Sequence, residues 1–317
     1  MGRTQGNAGL GAARNAGVGA SRGKYLTFVD SDDFLPSGAY TGSIATLEHT
    51  GSDFAVGKLK RDDGQSRFAS RRMRNNHRTE RLRVTLEDMP EILADVFAVN
   101  KVFRRSFWES ADLRFPTGIR YEDQPTLTAA FLRARAFDVL TGTVYFWRVR
   151  TDGSSITQQR HHIADLHDRV ATKRSAHTLL QGAPPHVRRV WLTDVLPVDM
   201  GAYFRSVPGC SNEYWTTLRD AVREFWKAGD VPFEQTLSPV QNRLLGWLVG
   251  QDRRADVEEL VAFIDRHPDG LPFELRDGTV ICLLPGHEEA GTLAPREVYE
   301  LAAWERQHLR TRRANFA

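Results

Sequence analysis

The sequence predicts an α/β protein, with a sheet domain in about residues 1–157 and a mainly helical region in 158–317. Two observations support this fold class. In the first half, short apolar segments rich in β-favouring residues alternate with helix-compatible segments, as in proteins whose strands are joined by helices. From about residue 158 onwards, helical segments follow one another with Gly and Pro between them, and one hairpin signal interrupts them.

The first elements are predicted from their local patterns. Small residues over 10–20 are compatible with a helix, and Gly23 is a suitable stop after it. Residues 25–29 form an apolar segment typical of a buried strand. A helix from Pro36 to about residue 48 is expected before Gly51, and residues 53–59 indicate the next strand.

The later elements of this half follow a segment rich in arginine. Thr85 is placed to cap a new helix, and another helix is expected from Pro125, which suits a first helical turn. Residues 137–149 again indicate a strand, which Gly142 interrupts.

The second half predicts helices over residues 163–180, 186–204, 213–227 and 241–249. Asp277-Gly278 lies between two apolar runs within 271–284, which is a strong hairpin signal. A last polar helix is expected over about 295–312.

The composition narrows the class of protein. The chain has 317 residues and a net charge of +3, so bulk charge does not demand a nucleic-acid partner. No apolar run approaches the roughly 18–20 residues that span a bilayer. Cys210 and Cys282 are too few for a disulfide framework and fit free thiols in a reducing compartment. The sequence therefore predicts a cytoplasmic protein without a transmembrane segment.

Seven arginines and one histidine occur between residues 67 and 83, with few apolar residues among them: Arg67, Arg71, Arg72, Arg74, His77, Arg78, Arg81 and Arg83. One interpretation is a solvated, mobile loop. The other is a surface that attracts a polyanion. The sequence leaves both interpretations open.

Three carboxylates lie within four residues at the end of the first predicted strand, at Asp30, Asp32 and Asp33. Ligands bind at this edge of open α/β sheets, and a divalent cation such as Mg²⁺ or Mn²⁺ would relieve the repulsion between carboxylates. An acidic turn that caps the next helix is the simpler alternative. A calcium EF-hand loop is excluded because Leu35 and Thr41 stand where Gly and Glu are required. An aspartyl-phosphate phosphatase is a remote alternative, since Asp33 stands where Thr or Val is usual.

Three blocks of sequence together resemble the family-2 glycosyltransferases of the GT-A fold. The first block comprises residues 6–17 (GNAGLGAARNAG) and 23–33 (GKYLTFVDSDD), the second 100–103 (NKVF) with 115–123 (FPTGIRYED), and the third 147–157 (WRVRTDGSSIT). They occur in the order of the family and cover about the first half of the chain. The resemblance implies a GT-A, Rossmann-like nucleotide-sugar transferase domain.

The resemblance also implies roles for residues in these blocks. Asp30 and Asp32 would form the D-x-D element that contacts the donor's diphosphate and holds Mn²⁺ or Mg²⁺. Asp123 would be the general base, and Glu122 its neighbour of less defined role. The donor site would further include Arg14, Arg150 and Ser154. Proton removal by a carboxylate and stabilisation of a leaving diphosphate by a cation are the chemistry that inverting glycosyl transfer requires.

The implied substrates are a nucleotide-sugar donor and a cell-envelope polysaccharide or polyol-phosphate acceptor, with a hexosyl or N-acetylhexosaminyl group transferred. The helical second half resembles extensions of glycosyltransferases that build teichoic-acid-like or capsular polymers, which suits a peripheral location at the inner face of the cell membrane. The chain begins within the helix before the D-x-D strand, so a nucleotide-binding segment of about 60 residues is expected to be missing. The alternative is a truncated, non-catalytic remnant that binds a polyanion or a partner chain.

Overall fold

A computed structural model describes residues 6–149, 160–226, 231–289 and 294–307. The chain forms two compact units. The first comprises Met1–Gln159 and Asp168–Arg188, and the second Arg160–His167 and Arg189–Ala317. The units interleave along the sequence, because 168–188 groups with the first unit, whereas the sequence suggested one boundary near residue 157.

A six-stranded mixed sheet organises the first unit. Its strands are β1 (Tyr25–Leu26), β2 (Phe54–Asp62), β3 (Arg67–Phe68), β4 (Arg81–Val84), β5 (Lys101–Arg104) and β6 (Phe137–Arg148). The order is β1-β5-β2-β6-β4, and β3 pairs with the end of β2. The central strands β2 and β6 run parallel, whereas β5 and β4 are antiparallel to their neighbours. The ends of β2 and β6 therefore meet at one edge of the sheet.

Helices flank this sheet along the chain: α1 (Leu10–Ala20), α2 (Ala39–Thr50), α3 (Arg71–Asn76), α4 (Arg105–Ser110), α5 (Asp123–Arg133) and α6 (Ile163–Leu179). The core of the unit is largely aromatic and includes Phe28, Phe54, Phe103, Trp108, Phe115, Phe131 and Phe137, whose rings pack in stacked and edge-on pairs. Each buried ring of this kind stabilises the fold by about 1.5–3 kcal/mol.

Several predicted elements of this unit are confirmed, namely the helix over 10–20, the helix that ends before Gly51, the helix around Pro125 and the strand from residue 137. Gly51 ends α2 in the left-handed conformation, with φ of 73°. The predicted strand over 25–29 is too long. Beyond Leu26 the contact with β5 passes instead through the Thr27 hydroxyl, which donates to the Lys101 carbonyl at 3.0 Å.

The structure does not support the loop interpretation of the arginine-rich segment, and the prediction made for Thr85 is wrong. Residues 67–83 are not a loop, because they contain β3, α3 and most of β4. His77 is fully buried and lies within 3.1 Å of Asp95, so the segment also supplies core residues. Thr85 does not cap an α-helix: it exchanges hydrogen bonds with Asp88 in a turn, and a short 3₁₀ helix, Pro90–Ala94, follows.

The second unit is mainly helical, with a β-hairpin. Its helices are α8 (Leu196–Phe204), α9 (Asn212–Phe225), α10 (Val240–Gly250) and α11 (Arg254–Asp265), and a π-helical turn, Trp191–Val195, joins α7 (Pro185–Val190) to α8. The hairpin consists of β7 (Phe273–Arg276) and β8 (Thr279–Cys282). Asp277 and Gly278 both have positive φ, 51° and 76°, as the turn signal requires.

Helix α11 was not predicted from the sequence. The helix expected over 295–312 is also not continuous. Within its described part, a 3₁₀ helix, Arg296–Val298, is followed by a break and then by helix at 303–307. The Leu301 amide pairs with the Val280 carbonyl at 2.9 Å, and this contact with the hairpin interrupts the helix. Among the described residues, no helix is long and apolar enough to cross a membrane.

Candidate active site

The acidic loop after β1 lies against the end of β6. The Asp30 amide donates to the Tyr145 hydroxyl at 3.1 Å, and that hydroxyl donates to Asp33 Oδ2 at 2.7 Å. Asp33 Oδ1 accepts the Arg148 amide at 2.8 Å, and Phe34 pairs with Phe146 through two backbone hydrogen bonds. The loop is thus held at the sheet edge where β6 ends.

Arg14 joins this loop to the start of α5. Its Nη2 donates to Asp30 Oδ1 at 3.1 Å, and its Nη1 donates to Glu122 Oε1 at 2.7 Å and to Asp123 Oδ1. The guanidinium also lies 5.2 Å from the centroid of the Phe115 ring. Three residues that the sequence singled out for chemistry therefore meet on one buried cation.

Close packing of α1 makes this meeting possible. A Cβ at Gly11 would lie 2.1 Å from the Pro116 carbonyl oxygen, so this position requires glycine. Asn15 ties the same helix to the same turn, since its side chain both donates to the Phe115 carbonyl at 2.8 Å and accepts the Phe115 amide at 3.0 Å. Asn15 therefore has a structural role, whereas Arg14 reaches the carboxylates.

Burial and charge alter the acidity of the cluster. Burial, reinforced by the neighbouring Asp123, raises the pKa of Glu122 to about 7 despite the Arg14 guanidinium. Burial also raises the pKa of Asp123, although Arg14 and the Ala98 amide oppose the change. Burial acts against the charge of Arg14, but Asp123, Asp30 and Glu122 hold its pKa above the ordinary value. One cation faces three carboxylates, so retaining a proton on Glu122 relieves their repulsion.

The turn that carries Glu122 and Asp123 is held in place by residues of α6. Tyr121 has a positive φ of 63°, an uncommon conformation for a bulky residue, and the Arg169 guanidinium stacks on its ring at 3.4 Å. Asp168 accepts from the Arg120 guanidinium at 2.9 Å. Lys173, fully buried, donates to Gln124 Oε1 at 2.5 Å. Helix α6 thus contacts both sides of the turn that carries Glu122 and Asp123.

A buried ionic network lies behind Asp123, and the sequence reasoning did not identify it. Lys101 Nζ donates to Asp95 Oδ1 at 2.8 Å and to the Phe97 carbonyl at 2.7 Å, and all of these groups lie in or beside β5. Burial disfavours the charge of Asp95, but Lys101 and His77 outweigh it and lower its pKa to about 2. The loop held in this way places the Ala98 amide 3.1 Å from Asp123 Oδ2. The sequence contains one signal for this network, a lysine in the apolar strand Lys101–Arg104. A lysine buried in a strand requires a partner for its charge.

The three carboxylates of the acidic loop differ in their surroundings. Asp33 is engaged by Tyr145 and by the Arg148 amide, and burial raises its pKa. Asp30 keeps one third of its side chain exposed, and Asp32 is half-buried. No group of three or more His, Cys, Asp and Glu side chains placed to hold a metal ion occurs in the described ranges. One or two carboxylates completed by substrate phosphate oxygens are a usual Mg²⁺ site, so Asp30 and Asp32 fit a cation that arrives with a diphosphate.

Two predicted donor-binding residues, Arg150 and Ser154, lie outside the described residues. The structure therefore brings together Arg14, Asp30, Glu122 and Asp123, with Asp32 in the same loop, and the roles assigned to all seven residues stay predictions.

The sheet and its carboxylate edge define a GT-A-type transferase domain followed by a helical region. The crystal structure of Staphylococcus aureus TarS 1-349 in complex with UDP-GlcNAc has the same fold, with a TM-score of 0.64 and 20% identity over 88% of this chain and 78% of that one. Residues 3–110 match the model of glycosyl transferase family 2. This match covers the segment that holds the first sequence block, and it confirms the resemblance found from the three blocks.

Curated relatives include the poly(ribitol-phosphate) beta-glucosyltransferase of Bacillus spizizenii, 30% identical over 156 residues that make up 49% of this chain and 24% of the relative. The uncharacterized glycosyltransferase EpsJ of Bacillus subtilis is 29% identical over 148 residues, which make up 45% of this chain and 43% of that protein. The matches thus span less than half the length of these relatives.

Proposed function

We propose that this protein transfers a hexosyl or N-acetylhexosaminyl group, with inversion, from a nucleotide-sugar donor to a polyol-phosphate polymer of the cell envelope. The observation that carries the proposal is the bridge made by Arg14. It contacts Asp30 of the acidic loop on one side and Asp123 at the start of α5 on the other. A donor site and a candidate base therefore share one edge of the sheet.

Different side chains of the cluster carry out different parts of the reaction. Asp123 takes the proton of the acceptor hydroxyl while that oxygen attacks the anomeric carbon and the bond to the diphosphate breaks. Its raised pKa brings its basicity closer to neutral pH, which favours general-base catalysis. Asp32 and Asp30 would hold Mn²⁺ or Mg²⁺, which supplies positive charge to the leaving diphosphate. Glu122 shares the Arg14 cation and keeps the charge of the cluster low by retaining a proton.

The acceptor class rests on the relatives and on the chemistry of this chain. The B. spizizenii relative is described as acting on poly(ribitol-phosphate), and the TarS structure holds UDP-GlcNAc. Arginine is the side chain best suited to phosphodiesters, and exposed arginines lie near the sheet edge at positions 61, 67 and 148. Both cysteines are free thiols, which fits action in the cytoplasm, at the inner face of the membrane where such polymers are made.

The test is sugar transfer from UDP-glucose and UDP-GlcNAc to purified poly(ribitol phosphate) in the presence of Mn²⁺, measured as labelled sugar in the polymer. Asp123→Asn serves as the matched inactive control. Transfer by the wild type and not by the variant is expected. Polymer binding with neither transfer nor donor hydrolysis, even at high protein concentration, would favour the non-catalytic polyanion-binding alternative.

A further inference from the structure

Near the ends of β2 and β6, Arg61 stacks on an aromatic surface made by Trp147 and Phe97, and these three residues are called the platform. Arg61 and Trp147 are register partners in the parallel pair, and the Arg61 guanidinium carbon lies 4.9 Å from the centroid of the Trp147 ring. On the loop before β5, the Phe97 ring lies 5.8 Å from the Trp147 ring. Arg61 is exposed, while both rings are half-buried. The platform therefore presents a cation and two aromatic surfaces together.

This platform is built onto the position of the candidate base. The Phe97 carbonyl accepts from the buried Lys101 ammonium at 2.7 Å, and the next residue, Ala98, donates its amide to Asp123 Oδ2 at 3.1 Å. The same short loop thus holds Phe97 under Trp147 and Asp123 in place. The platform and the candidate base are thus connected through two consecutive residues, Phe97 and Ala98.

Two other arginines, Arg67 and Arg148, lie beside the acidic loop. Side chains alternate along a strand, so Phe146 and Arg148 face away from Trp147. On their side, the Arg67 guanidinium carbon is 4.3 Å from the Phe146 ring, and the Arg148 guanidinium carbon is 5.9 Å from the ring of Phe34, next to Asp33. Arg67 and Arg148 therefore border the loop proposed for the donor, whereas Arg61 stacks on Trp147 on the other side of the strand.

We propose that Arg61, Trp147 and Phe97 form the acceptor subsite, an inference that rests on the proposed function. Arg61 pairs with a phosphodiester of the polyol-phosphate chain, and the two rings pack against its carbon backbone. The planar guanidinium of an arginine matches the geometry of phosphate and can bind it in a bidentate manner, which a lysine cannot do. The charge of the polymer and the apolar face of the polyol are thus recognised beside Asp123.

Titration of the full chain with purified poly(ribitol phosphate) at low salt, read by intrinsic tryptophan fluorescence and by calorimetry, tests the subsite. Arg61→Gln should weaken polymer binding about tenfold, the usual effect of losing one charge-assisted hydrogen bond. Arg61→Lys should recover only part of the loss, and Trp147→Phe should bind better than Trp147→Ala. As salt rises, the difference between wild type and Arg61→Gln should shrink.

Arg135→Gln is the matched control. It removes the same charge at the opposite edge of the sheet, where Arg135 pairs with Asp53 at 2.9 Å, and it should leave polymer affinity unchanged. Affinity for UDP should be the same in wild type and Arg61→Gln. Equal polymer binding by wild type and Arg61→Gln would overturn the subsite and leave the proposed function intact. A loss of UDP affinity in Arg61→Gln would assign Arg61 to the donor instead, and a wild type that does not bind the polymer would overturn both proposals.

Discussion

Charge balance around Arg14 dominates the candidate site at the scale of single residues. A buried guanidinium with three carboxylate partners leaves an excess of negative charge, and protonation of one partner or the arrival of a cation corrects it. Burial raises the pKa of Glu122 to about 7 and also raises the pKa of Asp123, so this pair of acids holds a proton more readily than ordinary carboxyl groups do. Asp123 also accepts a hydrogen bond from the Ala98 amide, which favours the ionised form of Asp123. We therefore expect the two adjacent acids to have different chemical roles.

Substitution of each acid separately tests this division. Asp123→Asn keeps the shape of the side chain but cannot accept a proton, so transfer should fall by about 10²–10⁴-fold. Glu122→Gln should cost much less, because Glu122 only shares the Arg14 cation. Transfer rates and UDP affinity measured on both variants decide the matter. Near wild-type transfer by Asp123→Asn with an inactive Glu122→Gln would mean that the base is Glu122, and loss of UDP affinity in both would mean that the pair is structural.

The pH dependence of stability gives an independent test of Glu122. Its pKa in the folded state, about 7, exceeds its ordinary value of 4.5, so the folded protein holds a proton there that the unfolded chain releases. Stability from this group is therefore fully present below pH 4.5 and is lost as the pH rises through 7. The effect is at most about 3 kcal/mol. Urea unfolding between pH 4.5 and 8 should show a decline in the wild type that is smaller in Glu122→Gln, where only Asp123 still contributes. Parallel curves would contradict the raised pKa of Glu122.

At the scale of elements, the site depends on how α5 and β5 are anchored. Helix α6 contacts the turn before α5 through Asp168, Arg169 and Lys173. The loop before β5 is held by Lys101, whose Nζ has four oxygen acceptors within 3.0 Å. Within the arginine-rich segment, the Arg74 guanidinium donates to the Ala69 carbonyl at 2.6 Å. Binding of a polyanion by this segment stays a prediction.

The anchoring role of Lys101 leads to a prediction about stability. Lys101→Met would leave Asp95 buried without its main partner, which should lower the free energy of unfolding by about 3–5 kcal/mol. Adding Asp95→Asn in the same chain removes the uncompensated charge and should restore a large part of the loss. Urea denaturation of the wild type, the single variant and the double variant measures this. A double variant as unstable as Lys101→Met would show that packing, not charge, sets the cost.

At the scale of the whole molecule, the acidic loop and the central strands converge on one edge of the sheet, where a donor and its cation would bind together. Because a ligand that binds only the folded state stabilises it, UDP with Mn²⁺ should raise the unfolding temperature more than UDP alone. At a hundredfold excess over Kd the stabilisation is about 2.7 kcal/mol. Asp32→Ala should abolish the part that depends on Mn²⁺ and retain much of the effect of UDP alone. An equal Mn²⁺ effect in both proteins would remove Asp32 from the metal site.

Local sequence was sufficient for elements whose signals act over a few residues. The helix over 10–20, the stop at Gly51 and the Asp277-Gly278 turn depend on backbone preferences that neighbouring residues set. The three blocks also pointed to the family and to the acids of the site. Local sequence did not predict the structure of the arginine-rich segment, because the burial of His77 depends on Asp95 and on the Leu140 carbonyl of β6.

The arrangement of the site required the tertiary structure. Arg14 and Glu122 are 108 residues apart, and no local pattern states that one guanidinium joins them to Asp30. The stacking of Arg61 on Trp147 also depends on the tertiary structure, because the parallel pairing of β2 with β6 places these two residues side by side. Backbone preference acts between neighbours along the chain, whereas ion pairing, burial and stacking act between neighbours in space. The sequence therefore indicates which residues carry chemistry, and the fold decides which of them meet.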